Sequence, residues 1–593
     1  MRPTRTMAFV LLSLSVVRTV WGAGPADELL RLVPPEAGAT LAIEDLSTHS
    51  REFCASPLAE GLKRLPAVQA WLASDRYKGF LAARNEIERA LDVPVGTIRD
   101  RLLGDAVVLA MHTAPGEDPD QAHGLLLVRF RDRGLLDRLI ERINIAEKEG
   151  GTLLSVDARR HRQTAYWVRN FAPGSKPTEY YTILSDNVFA WSNSESVLQG
   201  VVDRKAGAAG LADDPTFRKL RARLPEHSVA SLFINPRYVE RMMAADSRRK
   251  SPGEEHLSAL LARNLSAVAY AGASLEWRDG FVVHTEEAID ASKLDEPLRR
   301  WADQPGGSTS SLLARVPTTA LAIAATHVDF GAVYDLLIGL AGDADRTQIS
   351  NGIEVLKGIF LGKDIRTELL PWLGPGILCY VDNLDRETKS EGRFPLVLVV
   401  RLGDDAGPKG VSAALDNGLR TLLAASALDP KRREARLRVE SREARGVRMT
   451  ALVGIRPVLA YAVEHGVLVC GTSAEAVAGY CSGGAQAKGG SRFERFRSAY
   501  FSGAETFAFV DLARVREVAD AHRDLLARRI AARRGCTEQD AGRDLDQALG
   551  LVNLFEGAYF TSTIERDFSA VHRTLGLVAR DQASTTTSPP TGR

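Results

Sequence analysis

Net charge is nearly missing from this chain. Its 593 residues carry 76 Lys and Arg against 75 Asp and Glu, a formal charge of +1 at pH 7. A protein that holds nucleic acid needs a basic field to displace counterions from phosphate, so the balance argues against general nucleic-acid binding. Cysteine is scarce and odd in number: Cys54, Cys379, Cys470, Cys481 and Cys536. No C-x-x-C pair occurs, so neither a zinc ribbon nor a thiol redox motif is supported, and a disulfide scaffold fits poorly. Cys379 and Cys470 sit in strand-like apolar runs, where cysteine acts as a small buried hydrophobe. One bridge, for example Cys470–Cys481, is compatible with an exported chain.

Catalytic signatures are missing too. The 11 histidines are scattered, without the H-E-x-x-H spacing that sets two ligands on one helix face. There is no G-x-S-x-G elbow, since Gly471-Thr472-Ser473 lacks the closing glycine. Gly466 and Gly471 have the spacing of a phosphate loop, but Thr472 stands where its lysine belongs. The run Gly403-Asp404-Asp405-Ala406-Gly407-Pro408-Lys409-Gly410 precedes a helix, as an anion cradle does. Its counterpart Arg131-Asp132-Arg133-Gly134 keeps only the last glycine, which counts against phosphate there. The sequence therefore nominates no catalytic, cofactor-binding or metal-binding residue, and no cofactor.

Long hydrophobic runs are absent beyond the N-terminus. Residues 1–23 read as a signal peptide: Arg2 and Arg5 lead the apolar stretch Met7–Val17, and Gly22 and Ala23 offer a cleavage site. That stretch is too short to span a bilayer, although Arg18 and Trp21 leave a retained anchor open. The expected mature protein is exported, periplasmic or extracellular, with no transmembrane span after signal removal.

What is present is a pattern stated twice, about 280 residues apart, a spacing suited to whole domains rather than short repeats. Leu29-Leu30-Arg31-Leu32-Val33-Pro34 returns as Leu312-Leu313-Ala314-Arg315-Val316-Pro317, and Asn187-Val188-Phe189-Ala190 as Gly466-Val467-Leu468-Val469. Each half runs from a short strand through two apolar strand-length runs to an amphipathic helix. A strand meander follows, then a short helix, a strand, a longer helix and two closing strands. Runs of neighbouring strands between helices predict an α+β fold of two tandem similar domains, each a mainly antiparallel sheet with packed helices. The boundaries are a first domain at 24–290, a linker at 291–310, a second domain at 311–578 and a disordered Ser/Thr/Pro tail at 579–593.

Polar residues shared by the halves have structural readings. Ser192-Asn193-Ser194-Glu195 and Thr472-Ser473-Ala474-Glu475 both fit the capping box that closes a helix N-terminus. Asn235-Pro236 and Asp511-Leu512 fit the cap position and the first helical residue. His284 and His572 both fall in a closing strand, each without a second ligand at metal spacing. The strongest charge feature is Arg514–Arg534, read as one long amphipathic helix, with Asp520 and Asp524 one turn from Arg523 and Arg528. Its last arginines, Arg528, Arg529, Arg533 and Arg534, are the candidates for contact with an acidic envelope surface.

Three segments carry a resemblance: Val33-Pro34 before the opening strand, Leu211-Ala212-Asp213-Asp214-Pro215-Thr216-Phe217, and Phe509-Val510-Asp511-Leu512-Ala513-Arg514-Val515. Across most of the mature chain, they resemble an uncharacterised family of large exported bacterial proteins with a duplicated domain of unknown function. The resemblance implies export and a duplicated α+β architecture, and it implies no reaction. The expected function is a non-catalytic binding or scaffold protein of the cell envelope, its partner an envelope protein, a lipid or a small molecule. Two alternatives stand beside it: an exported hydrolase whose site is assembled from distant residues, and a carrier of a lipid or other hydrophobic ligand.

Overall fold

Alternating apolar residues set the strands, and all described strand pairings are antiparallel. The computed structural model describes residues 25–113, 122–184, 187–226, 228–247, 265–277, 280–303, 309–340, 343–385, 388, 393–403, 411–427, 437–454, 458–483, 492–501, 504, 506–565 and 569–580. The signal segment 1–23, the glycine-containing loops 404–410 and 484–491, residues 304–308 of the linker and the tail from 581 lie outside the described residues. The chain is α+β with a large antiparallel sheet. It divides into two compact units, residues 1–52 with 79–239, and residues 53–78 with 240–593.

In the first unit the strands are β1 (Ala39–Glu44), β2 (Ala106–His112), β3 (His123–Arg129), β4 (Leu153–His161), β5 (Thr164–Phe171), β6 (Glu179–Leu184), β7 (Val188–Ser192) and β8 (Ala230–Ile234). They pair in the order β8-β1-β2-β3-β7-β6-β5-β4. One face carries the core. Val108, Leu127 and Ala190 are fully buried there, along with Leu198 and Val201 of the helix Glu195–Lys205. Each such large aliphatic side chain contributes about 1.5–3 kcal/mol by leaving water. The other face is covered at one end by the helix Arg133–Glu149, whose Leu135 and Leu136 pack with Phe130, Val93 and Leu102.

The second unit adds β9 (Val268–Trp277), β10 (Gly280–Ile289), β11 (Ala322–His327), β12 (Leu373–Val381), β13 (Leu396–Leu402), β14 (Arg438–Ala444), β15 (Val447–Val453), β16 (Leu459–Glu464), β17 (Val467–Gly471), β18 (Thr506–Val510), β19 (Phe555–Ile564) and β20 (Ala570–Ala579). The order is β9-β10-β20-β19-β18-β11-β12-β13-β17-β16-β15-β14. The β16–β17 hairpin turns at His465-Gly466, both at positive φ (52° and 73°), the twist that a two-residue hairpin loop requires. The core runs from Ile323, Leu378, Val397 and Val469 to an aromatic cluster of Phe493, Phe496, Phe501, Phe507, Phe509 and Tyr559.

Several expectations change here. The linker is not uniformly open chain, because Glu296–Asp303 is helical. β20 runs to Ala579, the first residue of the expected tail. The Arg514–Arg534 helix is two helices, Leu512–Ala521 and Arg523–Arg534, broken at His522, whose φ of −122° and ψ of 24° leave the helical region. The break lets the second piece lie along the helix Glu538–Val552, where Arg523 makes a two-pronged pair with Asp546 at 2.9 and 2.6 Å.

Candidate functional site

β13 shows how the sheet makes a surface out of its core pattern. Val397 and Val399 are fully buried, while the alternate residues Leu396 and Leu398 keep 44% and 40% exposure. The helix Val411–Ala427 covers only part of that second face. Its Val411, Ala414 and Leu415 pack with Val400, Leu402, Tyr461 and Leu468. Further along, Leu419, Leu422 and Leu423 stand beside Leu396, Leu398, Leu452 and Leu459, and a groove of about 470 Å³ remains between helix and sheet. That volume is in the range of sites for small organic ligands.

The first unit builds a groove the same way. Ile140 and Ile143 of the helix Arg133–Glu149 face Leu126, Tyr181, Phe189 and Trp191 across about 300 Å³. Asn144 and Arg169 also line it, and Arg169 is held by Glu147 and Glu179.

Register explains why these surfaces are apolar over such a width. In the first unit one row crosses the sheet: Leu232, Leu41, Leu109, Leu126, Trp191, Tyr181 and Trp167 stand opposite one another on successive strands. In the second unit the row is Ala508, Ala324, Cys379, Leu398, Cys470 and Tyr461. Cross-strand neighbours share a face, so each row is a continuous apolar strip. Ionisation does not interrupt the second groove at neutral pH. Burial pushes the Cys470 thiol up to about 11 and the Tyr461 phenol up to about 12. The Tyr461 hydroxyl donates to Asp416 Oδ1 at 2.8 Å.

A second arrangement lies on β9, β10 and β20. His284 stands opposite Thr574, and Glu286 opposite His572. Thr574 Oγ1 is 3.3 Å from both His284 Nδ1 and His572 Nε2. On the outer sides, His284 Nε2 meets Glu276 Oε2 at 3.1 Å and His572 Nδ1 meets Glu286 Oε2 at 2.9 Å. The rings are near-parallel, with centroids 5.9 Å apart. Glu286 is only 2% exposed. Burial is the main cause that lowers the His284 pKa, against the raising pull of Glu276. Ser274, opposite His284, has a buried hydroxyl with no hydrogen-bond partner among the described residues. These groups form a line rather than a shell, and no group of three or more His, Cys, Asp or Glu able to hold a metal occurs among the described residues.

The residues singled out in the sequence fare differently. Asn235 and Asp511 cap their helices, accepting from Arg237 N at 3.0 Å and Arg514 N at 2.8 Å. The expected capping boxes do not form. Ser192 Oγ accepts from Ser194 N and donates to Gly124 O, while Glu195 takes the Tyr166 hydroxyl and Arg159. In the second half Ser473, not Thr472, accepts from the helix at Ala476 N, and Thr472 Oγ1 takes Leu396 N. All five cysteines are free, so the Cys470–Cys481 bridge is absent. Arg528, Arg533 and Arg534 are exposed on Arg523–Arg534 and Arg529 is half-buried. Arg534 pairs with Asp544 at 2.9 Å. His284 and His572 come together, which their positions in the sequence did not announce. Glu276, Glu286, Thr574 and the groove leucines were missed. Period-two alternation in the closing strands was the available signal for the first three.

No protein-family model matches the chain, and no curated protein or solved structure does either.

Proposed function

We propose that the protein is an exported, non-catalytic binder of long-chain amphiphiles, which lays a hydrocarbon chain in the grooves between helix and sheet. One observation carries the reading: the groove lined by Leu396, Leu398, Leu419, Leu422, Leu423 and Leu459, where leucines are held outward by strand and helix geometry. A large apolar surface left open in this way is the mark of a binding site. The same pairing order, β8-β1-β2-β3-β7-β6-β5-β4 and β18-β11-β12-β13-β17-β16-β15-β14, supports two copies of one unit, each with its own groove. Extraction and mass spectrometry of protein purified from its native envelope tests it, together with titration of a fluorescent fatty acid. Bound lipid should be present, and Leu398→Arg should weaken fatty-acid binding at least tenfold. Wild-type protein that carries no lipid and binds no fatty acid would remove this reading.

A hydrolase is the second reading, favoured by a single feature. The Thr574 hydroxyl lies between two imidazoles, each backed by a carboxylate, which is the relation that activates a hydroxyl for acyl transfer. A panel of aryl esters decides it. Turnover that disappears in Thr574→Val supports the hydrolase, and no turnover by the wild type eliminates it.

A further inference from the structure

Between β13, the β16–β17 turn and the helix Ser310–Leu313 lies a polar cavity of about 350 Å³, lined by Ser311, Arg315, Arg401, His465 and Tyr480 among others. Among the described residues no carboxylate lines it. Among the described residues neither Arg315 nor Arg401 has an ion-pair partner, and Arg315 Nη1 is buried without a hydrogen bond. At the rim Glu464 lies 4.0 Å from His465. The Tyr480 hydroxyl is occupied, donating to Leu312 O at 2.9 Å.

The first unit shows what neutralises such a place. Arg129, the last residue of β3, stands opposite Val188, and Arg401, next to last in β13, stands opposite Val467. Arg129 is paired with Glu28 and with Asp105, the latter at 3.0 Å. When Leu29-Leu30 is set on Leu312-Leu313, Glu28 falls on Ser311 and Leu32 falls on Arg315. The segment lying against Arg401 is Gly374-Pro375-Gly376, with no acid in it. In the second unit, therefore, serine stands where the first has Glu28, no acid among the described residues stands in the place of Asp105, and arginine stands where the first has the core residue Leu32. Arg401 is exposed and Arg315 half-buried, and the Arg315 nitrogen buried without a hydrogen bond is costly unless something occupies the site. Two guanidinium groups with a hydroxyl beside them suit the oxygens of a tetrahedral oxyanion.

We infer that this cavity binds a phosphate group, with Arg315 and Arg401 as the two cationic clamps and Ser311 as the residue whose small size opens the site. The pocket is separate from the leucine groove and does not depend on the amphiphile reading. The phosphate can belong to a soluble monoester or to a lipid headgroup.

Calorimetric titration of the full chain with inorganic phosphate and with glycerol phosphate, against chloride at matched ionic strength, tests the site. Flotation with phosphatidic acid vesicles in phosphatidylcholine runs in parallel. Phosphate should bind one to one, more weakly at higher salt, and at least tenfold more weakly in Arg401→Gln and Arg315→Gln. The decisive variant is Ser311→Glu, which restores the acid of the first unit at an exposed position and should abolish binding in a chain whose circular dichroism is unchanged. Vesicle association lost in Ser311→Glu identifies a headgroup as the source. Binding of soluble phosphates without vesicle association identifies a free monoester. Absence of phosphate binding by the wild type, or equal binding by Ser311→Glu, overturns the inference.

Discussion

Replacing Glu286 by Gln and by Ala separates two explanations of the histidine pair. The line Glu276–His284–Thr574–His572–Glu286 has four contacts, at 3.1, 3.3, 3.3 and 2.9 Å, and each needs one hydrogen. The threonine hydroxyl supplies one and two neutral imidazoles supply two, so the chain is complete only with one added proton. Burial drives His284 toward its neutral form. In Glu286→Gln the carboxamide N–H donates to His572 Nδ1, and all four contacts are satisfied by neutral groups. That variant should lose about 1 kcal/mol, the scale of one exchanged hydrogen bond. Glu286→Ala strands His572 and empties a buried position. His572 is 39% exposed and regains water in part, so the cost should be about 2–3 kcal/mol rather than the full price of a broken buried pair. Urea denaturation at pH 7 measures both. Equal losses for the two variants would refute the proton count.

Other expectations concern pH, the groove and its thiol. Because the folded His284 pKa lies below its unfolded value of 6.5, the unfolded chain binds more protons between the two. Its contribution to stability is complete above 6.5 and is lost as the pH falls through the folded value. The groups facing it are Glu276, Ser274, Thr574 and His572, and His284→Gln should flatten this part of the denaturation profile; an unchanged slope contradicts it. A Cβ at Gly418 would come 2.0 Å from Phe360 Cε1, so Gly418→Ala should cost about 1–3 kcal/mol by overpacking, read from the urea midpoint, and an unaltered midpoint would show that the helix yields freely. With its pKa pushed to about 11, Cys470 should react with a disulfide reagent at pH 8 far more slowly than an unperturbed thiol; modification at the rate of a free thiol would contradict that shift.

Local elements were legible because their causes are local. Pro66 separates Pro57–Arg64 from Pro66–Ala73, as its missing N–H dictates. Asn235 and Asp511 sit at caps because a short acceptor side chain satisfies the first free N–H groups. The capping boxes failed for a tertiary reason. Ser192 and Thr472 lie at strand ends, and the neighbouring strands claim their hydroxyls through Gly124 O and Leu396 N. The histidine pair was hidden by distance: Glu286 and His572 are 286 residues apart, and alternation gives the face of a strand but not its partner. β10 pairs with β20 rather than closing a sheet within its own half of the sequence, so no reading confined to one half brings those residues together.

The repeated pattern misdirected the search for chemistry in an instructive way. Residues that the halves share are caps, core aliphatics and turn positions, and each is explained by folding. The cavity at Arg401 is visible only in what the halves do not share. Leu32 is 5% exposed among other apolar groups, whereas Arg315 at the matching position is half-buried with one guanidinium nitrogen buried and without a hydrogen bond. Arg315 has no such acid, and Ser311 removes the one that Arg129 enjoys in the first unit. An arginine at the position matching Leu32, with serine at the position matching Glu28, is unfavourable for stability taken alone. An anion that completes the site offsets that cost, and for that reason placing an acid at Ser311 is a sharper probe than removing either arginine.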